Sequence, residues 1–449
     1  MTTYRSPSRL VRFWNGPQLY VLIGDASVAF QVNDFTVQKP EFMQYLGGLY
    51  FKQGLVSDSC SSDTAHWRWA RKTLQPAFNF TNFKQFIAKF HKESLITAKE
   101  LEQYALTGHS VFLLEHTRNY AYRTIMRTMF DYELNQHKTE EECQMLLGLL
   151  EAMFQHFQNR MTVPIYRNLF IYYLTGLRQK ENEEMKMLMQ FVREVIDLKK
   201  TNMDNDISGG LCTNQEDNDQ TFVERMLQNP EVSMEELIVQ GATIITAGID
   251  TTKSQNIVIL LMLALHPDIQ NNVYKELMSI LDEDITLTPS YEAVCNLSYL
   301  DRVIKETLRM YPAAPVLARK AYSELTVTAD DGEYTIPAGT VLLTMVTDIH
   351  NNPDYYDNPH VFDPDRWLDR HLFTRQPHCY LPFSSGARNC LGYKYALLQM
   401  KLLVATLVRT YEILPSETCH TLDDIKFDMS ITIKIEETCR LRFKPRRIL

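Results

Sequence analysis

The stretch from Ser233 to His266 constrains the fold more than any other part of the chain. Ser233 followed three residues later by Glu236 forms a capping box, and nothing interrupts the helical pattern until Pro267. The spacing predicts one helix of about 30 residues, roughly 50 Å long at 1.5 Å per residue. Its second half ends in IVILLMLAL (Ile257 to Leu265), apolar on nearly every face. Such a half-helix has to lie buried through the middle of the protein, with other elements packed around it. It is also only about half the length that a bilayer requires. The chain has the means to cover it: 449 residues, 45% of them hydrophobic and 22% charged.

Other segments fall into place around this helix. Residues from Leu19 to Val32 read as strands and turns, and from about Thr64 to Leu198 apolar residues recur at helical spacing. Thr201 to Gln220, polar, acidic and glycine-bearing, reads as an exposed loop. A second strong helix covers Asp301 to Met310. Short strands follow in LTVTADDGEYTIPAGTVLLTMV, with Asp331-Gly332 as a hairpin signal. A helix from Tyr393 to Thr410 comes next, and ITIKIEETCRLRFKP closes the chain as strand. The expected fold is mainly α with a minor β part. No linker divides it, so residues 1–449 read as a single domain.

Several functions are excluded early. A net charge of −9 argues against general nucleic-acid binding, which needs a basic footprint. The eight cysteines are scattered without a CxxC pair, and His378-Cys379 lacks the second half of a zinc site. Such thiols are expected to stay reduced in a cytosolic environment. The N-terminal residues carry no signal-peptide or membrane-span pattern.

The chemistry gathers at Cys390, in FSSGARNCLG (Phe383 to Gly392). Gly386 and Gly392 permit backbone geometry closed to other residues and the close approach of a flat ligand. The following helix directs its positive end back toward the sulfur and favours thiolate. A thiolate with no second cysteine nearby suits a metal whose other positions are filled by a macrocycle. A lone cysteine is more often a buried structural thiol, and the surrounding pattern decides between the two. Glu306 and Arg309 in KETLR share a helix face, which on a surface would be a minor ion pair. With Arg366 of FDPDRW they could instead form a buried bidentate network. Trp67 and Arg71 also share a face, offering an indole N–H and a guanidinium fork to an anion. In AGIDTT, Gly248, Asp250 and Thr251 each disfavour a helix in mid-helix, which invites a functional explanation.

Phe383, Gly386, Arg388, Cys390 and Gly392 resemble the haem-binding loop of the cytochrome P-450 family. Glu306 and Arg309 resemble its ExxR motif, Arg366 the arginine completing that cluster, Ala247 to Thr252 its oxygen-activating stretch, and Trp67 with Arg71 its WxxxR motif. The likeness runs from about residue 15 to the end and is nearest to the animal fatty-acid-hydroxylase clan, insect branch. It implies the P-450 fold, with haem between the long central helix and the cysteine loop. It further implies haem b bound to Cys390, with Trp67, Arg71, Arg319 and Arg388 toward the propionates and Asp250 and Thr251 delivering protons. A haem-thiolate monooxygenase would insert one atom of O2 into an apolar substrate. Electrons would come from NADPH through NADPH-cytochrome P-450 reductase, with cytochrome b5 as a second donor. Arg68, Lys72 and Lys394 are candidate docking charges. Thr243, Ala247, Val316 and Leu317 are candidate pocket residues, and Met153, Phe154, Phe157, Met161, Met185 and Met189 enrich the helices expected above them.

Ala247 stands where some clan members carry a glutamate that esterifies the haem, so non-covalent haem is expected. Microsomal members begin with a membrane anchor, while this chain starts near the first strand; the anchor and first helix are expected to be missing from residues 1–449. The family's place is the cytosolic face of the endoplasmic reticulum membrane. Two other functions share the cysteine loop: a haem-thiolate isomerase or dehydratase acting on lipid hydroperoxides without a reductase, and a non-catalytic haem-binding gas sensor. The Asp250-Thr251 pair weighs against both.

Overall fold

Ser233 Oγ accepts a hydrogen bond from the Glu236 backbone N–H (3.1 Å) and starts a helix that runs unbroken over Met234–Leu265. The glutamate does not complete the box: its carboxylate accepts from Gln240 at 2.8 Å and meets His66 at 3.2 Å. This computed structural model describes residues 9–46, 53–58, 64–133, 137–208, 220–368, 378–429 and 431–446. Cys60 and Cys212 lie outside them.

The chain forms two units from interleaved segments, one of residues 1–40, 94–117 and 251–449, the other of residues 41–93 and 118–250. The first holds the β structure. A four-stranded sheet is ordered Leu10–Asn15, Gln18–Ile23, Val341–Met345, Val316–Lys320, with the middle pair parallel and the others antiparallel. Two-stranded sheets pair Leu325–Ala329 with Gly332–Ile336, Tyr411–Pro415 with Leu441–Pro445, and Phe427–Met429 with Ile433–Ile435. The Asp331-Gly332 hairpin is observed, with Gly332 at φ 143°. Helices Ser298–Met310 and Tyr393–Thr410 pack in the same unit. The apolar end of the central helix is fully buried, with Ile257 to Leu263 all at 0–1% exposure.

The second unit is helical. Helix Glu140–Thr162 opens on a complete capping box at Thr139 and packs along Leu177–Ser208. Glu93, fully buried, accepts from Arg123 Nε at 2.6 Å and pairs with Arg127, so its charge is held by two guanidinium groups. Gly248 has a packing explanation: an added methyl would meet Ile125 Cδ1 at 2.9 Å.

Two expectations need correction. SVAFQV belongs to a helix, Ala26–Phe35, capped by Asp25, whose Oδ1 accepts from Val28 N–H. The alternating run hid the cap. Thr201 to Ser208 continue the Leu177–Ser208 helix, because backbone hydrogen bonding carries a helix on through a mainly polar stretch; residues 209–219 of the expected loop lie outside the described residues.

Candidate active site

The cysteine loop is a tight turn closed by its own backbone. Cys390 N–H donates to the Phe383 carbonyl at 2.9 Å, Asn389 N–H to Gly386 at 3.1 Å, and Ser384 N–H to Leu381 at 3.0 Å. Cys390 is exposed and stands two residues before Gly392, the N-cap of helix Tyr393–Thr410. The Phe383 ring faces Tyr393 at 6.1 Å. Gly386 has φ +68°, and a Cβ there would lie 2.3 Å from the Asn33 carbonyl oxygen. The close approach that demands glycine is thus made by the protein's own N-terminal helix, where Asn33 also donates to Ser385 Oγ at 3.1 Å. Gly392 has φ −92°, outside the left-handed region. The backbone freedom expected of Gly386 is thus observed, with Asn33 as the neighbour it admits.

Glu306 collects the supports of this loop. It is fully buried and accepts five hydrogen bonds. Arg309 gives two in fork geometry (2.9 and 2.8 Å), Trp367 Nε1 one at 3.0 Å, Asp363 N–H one at 3.2 Å, and Arg366 Nε one at 3.3 Å. Arg309 reaches the His350 carbonyl with Nη1 at 2.9 Å. The triad is therefore assembled as the spacing suggested, and removing one partner would strand buried charge at about 3–5 kcal/mol.

His350 continues the network toward the loop. Its Nδ1 lies 3.0 Å from the Arg309 carbonyl and its Nε2 accepts the Leu381 N–H at 2.8 Å, so the ring is neutral with the proton on Nδ1. Burial foremost, with Arg309 nearby, pushes its pKa down to about 3. The ring stacks on Tyr380, whose hydroxyl donates to the Lys305 carbonyl at 3.2 Å, and Tyr356 donates to the Cys379 carbonyl at 3.1 Å. Sequence reasoning missed His350 and Trp367. Trp367 could have been noticed beside Arg366; His350 had no local signal.

Arg319 is the electrostatic anomaly. It is 2% exposed on strand Val316–Lys320 and donates to its neighbour's carbonyl (Ala318, 2.9 Å) and to Ser384 Oγ of the cysteine loop (3.3 Å). Its Nε has no hydrogen-bond partner, and burial alone lowers its pKa to about 10. Among the described residues no carboxylate raises that value, so within them this buried cation has no anion. Arg388, by contrast, gives its Nε to the Val37 carbonyl at 2.8 Å.

On the central helix the burial pattern is selective. From Gly241 to Ala264, only Ala247, Gly248 and Thr251 escape burial. They occupy one face at i, i+1 and i+4, a reachable window in an otherwise enclosed helix. Asp250 beside it is 3% exposed. Thr243 is buried with its hydroxyl on the Val239 carbonyl at 2.8 Å, while Val316 and Leu317 are half-buried on their strand. On helix Ala65–Leu74, Trp67 is buried, Arg71 half-buried, and Arg68 and Lys72 exposed; Lys394 is exposed in the other unit. Met153, Phe154, Phe157 and Met185 are buried, and Met161 and Met189 half-buried.

These features suit a haem: an exposed thiol at a helix N-terminus, and a buried arginine, hydrogen-bonded to the same loop, that pairs with no acid among the described residues. Residues 2–438 match the family profile described as Cytochrome P450. The chain therefore belongs to the cytochrome P450 family and is, by class, a haem-dependent monooxygenase that uses O2, a redox partner and a small-molecule substrate. Relatives include Cytochrome P450 4g1 of Drosophila melanogaster, 28% identical over 89% of this chain and 76% of that protein. Cytochrome P450 4c21 of Blattella germanica is 29% identical over 85% and 75%, and Probable cytochrome P450 4d21 of Drosophila melanogaster is 30% identical over 81% and 73%. The insect affinity read from the sequence agrees with these.

Two outcomes follow. Gly386→Ala destabilises the protein by more than the ~1–3 kcal/mol of left-handed strain, because the methyl also meets the Asn33 backbone; urea unfolding of the variant against wild type measures this. The native His350 refuses a proton that the unfolded chain accepts below about pH 6.5, so its contribution to stability falls as pH drops from there toward 3. The stability gap between wild type and His350→Gln should shrink by ~1.4 kcal/mol per pH unit across that window, and a gap unchanged between pH 7 and 5 would refute the assignment.

Proposed function

We propose that Cys390 would hold the iron of a non-covalently bound haem b through its sulfur and that the chain hydroxylates apolar molecules with electrons from NADPH-cytochrome P-450 reductase, cytochrome b5 being a second donor. The isolated guanidinium of Arg319, hydrogen-bonded to the cysteine loop, carries this reading. A haem propionate is the carboxylate that such a cation requires. Arg388, Trp67 and Arg71 are the further proposed propionate donors, and Phe383, Gly386 and Gly392 shape the loop. When bound, the haem supplies an iron that activates dioxygen.

The chain's own residues do the rest. The N-terminus of helix Tyr393–Thr410 favours charge on the Cys390 sulfur. Glu306, Arg309 and Arg366 keep the loop's supporting segments rigid. Thr251 on the exposed face and Asp250 beside it would hold protons and pass them into the site. Thr243, Ala247, Val316 and Leu317 are the proposed pocket residues, of which Ala247 has the most open position. The absence of a carboxylate at Ala247 supports a haem that is not esterified. Arg68, Lys72 and Lys394 are proposed to meet an acidic reductase. Residues 1–449 are proposed to act as one catalytic domain, since both units are assembled from interleaved stretches of chain.

Fatty acids, hormones and xenobiotics are the substrate classes that an apolar pocket would accept. The Asp250-Thr251 pair favours oxygen activation over the hydroperoxide isomerase or the gas sensor, neither of which needs protons delivered.

The proposed place is the cytosolic face of the endoplasmic reticulum membrane. Among the described residues no helix is long and apolar enough to cross a membrane. The support is a surface patch: Ile165, Leu169, Phe170, Tyr173 and Leu174 are 51–68% exposed within ten residues, with Arg167, Arg178 and Lys180 beside them. Apolar side chains rimmed by cations suit an anionic lipid surface.

Reduced protein with carbon monoxide should show the far red-shifted Soret band of thiolate ligation, lost in Cys390→Ala, and acidified solvent should extract the haem. A red-shifted band surviving in Cys390→Ala would end the proposal. Phe170→Ser combined with Leu174→Ser should weaken binding to phosphatidylserine-containing vesicles at least about tenfold, as sedimentation would show.

A further inference from the structure

The C-terminal β structure contains a cysteine pair that the haem chemistry does not use. Cys419 and Cys439 stand twenty positions apart (439 minus 419), at 0% and 1% exposure. The fold has already brought them together. Thr418 Oγ1 donates to the Thr438 carbonyl at 2.5 Å, which lays the two chain segments side by side immediately before each cysteine. The Cys439 thiol is close enough to Cys419 to help push the Cys419 thiol up. Asp424 sits against both, with Cys439 Sγ 3.9 Å from its carbonyl oxygen. Each cysteine closes its own tight turn: Cys419 N–H donates to Ser416 (3.4 Å) and Cys439 N–H to Glu436 (3.0 Å).

We infer that Cys419 and Cys439 are a reversible disulfide site that closes under peroxide and fastens the base of the Phe427–Ile435 hairpin. Burial and the neighbouring thiol push Cys419 up to about 12, which makes it a poor first target. In the proposed step hydrogen peroxide attacks Cys439. The sulfur takes one peroxide oxygen to become sulfenic acid, and one water leaves. The Cys419 sulfur then displaces the sulfenic hydroxyl, which leaves as a second water with the Cys419 proton. Two thiols are oxidised by two electrons, and one peroxide is reduced to two waters. A thiol reductant reverses the bond. Peroxide is also what a monooxygenase releases when it reduces O2 by two electrons without transferring oxygen. That source rests on the reading above; the pairing itself does not.

The hairpin gives the bond a consequence. Strands Phe427–Met429 and Ile433–Ile435 lie between the two cysteines in sequence. Ile433 N–H donates to the Ala313 carbonyl at 3.0 Å, and Phe427 faces Tyr311 at 5.0 Å between ring centres. Ala313 stands three residues before Val316, one of the proposed pocket residues. A cross-link at the hairpin's base restrains the segment that packs beside that wall.

The full-length haem-loaded protein is treated with hydrogen peroxide, its remaining thiols are blocked with N-ethylmaleimide after denaturation, and it is digested without reductant for mass spectrometry. The expected result is a linked peptide pair joining Cys419 to Cys439, abolished by dithiothreitol before digestion. It should be absent in Cys419→Ser and in Cys439→Ala, two variants that need not share a folding defect. Hydrogen exchange across 427–435 should slow at least tenfold in the oxidised protein. Recovery of both cysteines fully blocked by maleimide, or linked to other cysteines, would overturn the site. A cross-link that leaves exchange across 427–435 unchanged would overturn the restraint on the hairpin.

Discussion

One carboxylate organises the cysteine-bearing unit. Glu306 is sealed from water, and each of its oxygens accepts more than one donor. It thereby joins helix Ser298–Met310 to the Asp363–Trp367 segment. From Arg309 the network passes to His350, and from His350 to Leu381 at the mouth of the cysteine loop. A buried charge tolerates little displacement, because any donor that leaves exposes the full cost of desolvation. The loop inherits that rigidity without containing any member of the triad.

Arg319 shows the opposite balance. Glu306 is over-supplied with donors, whereas Arg319 is buried with a serine hydroxyl and a neighbouring carbonyl as its partners. Protein interiors do not keep such a cation without reason. Its place on a strand beside Ser384, itself held at φ 62°, brings an unneutralised positive charge to the edge of the cysteine loop. The central helix offers a related contrast: it is enclosed over most of its length and opened on one face at Ala247, Gly248 and Thr251. Both departures from ordinary burial fall on residues that sequence reasoning had singled out.

The extent of the central helix, its buried half, the Tyr393–Thr410 helix and the Asp331-Gly332 hairpin were legible because local periodicity and turn chemistry specify them. Thr201 to Ser208 and SVAFQV were misread for the same reason, since polar helix ends and short alternating runs carry weak local signals. The spacing of Glu306 and Arg309 announced a possible pair, and its burial settled the pair's meaning. His350 was invisible, because its role depends on a carbonyl 41 positions away and an N–H 31 positions away. Gly386 was marked for its backbone freedom, and the structure adds a neighbour that requires it, the backbone of Asn33.

The sequence alone determined which chemistry the chain carries, because a lone cysteine before a helix, an ExxR pair and an acid–threonine step are matters of residue type and spacing. Only the tertiary structure decided which charges are neutralised. The five donors around Glu306, the carbonyl that engages Arg388 and the serine hydroxyl that meets Arg319 are contacts between distant segments. Their energies arise from burial, which no stretch of sequence encodes by itself.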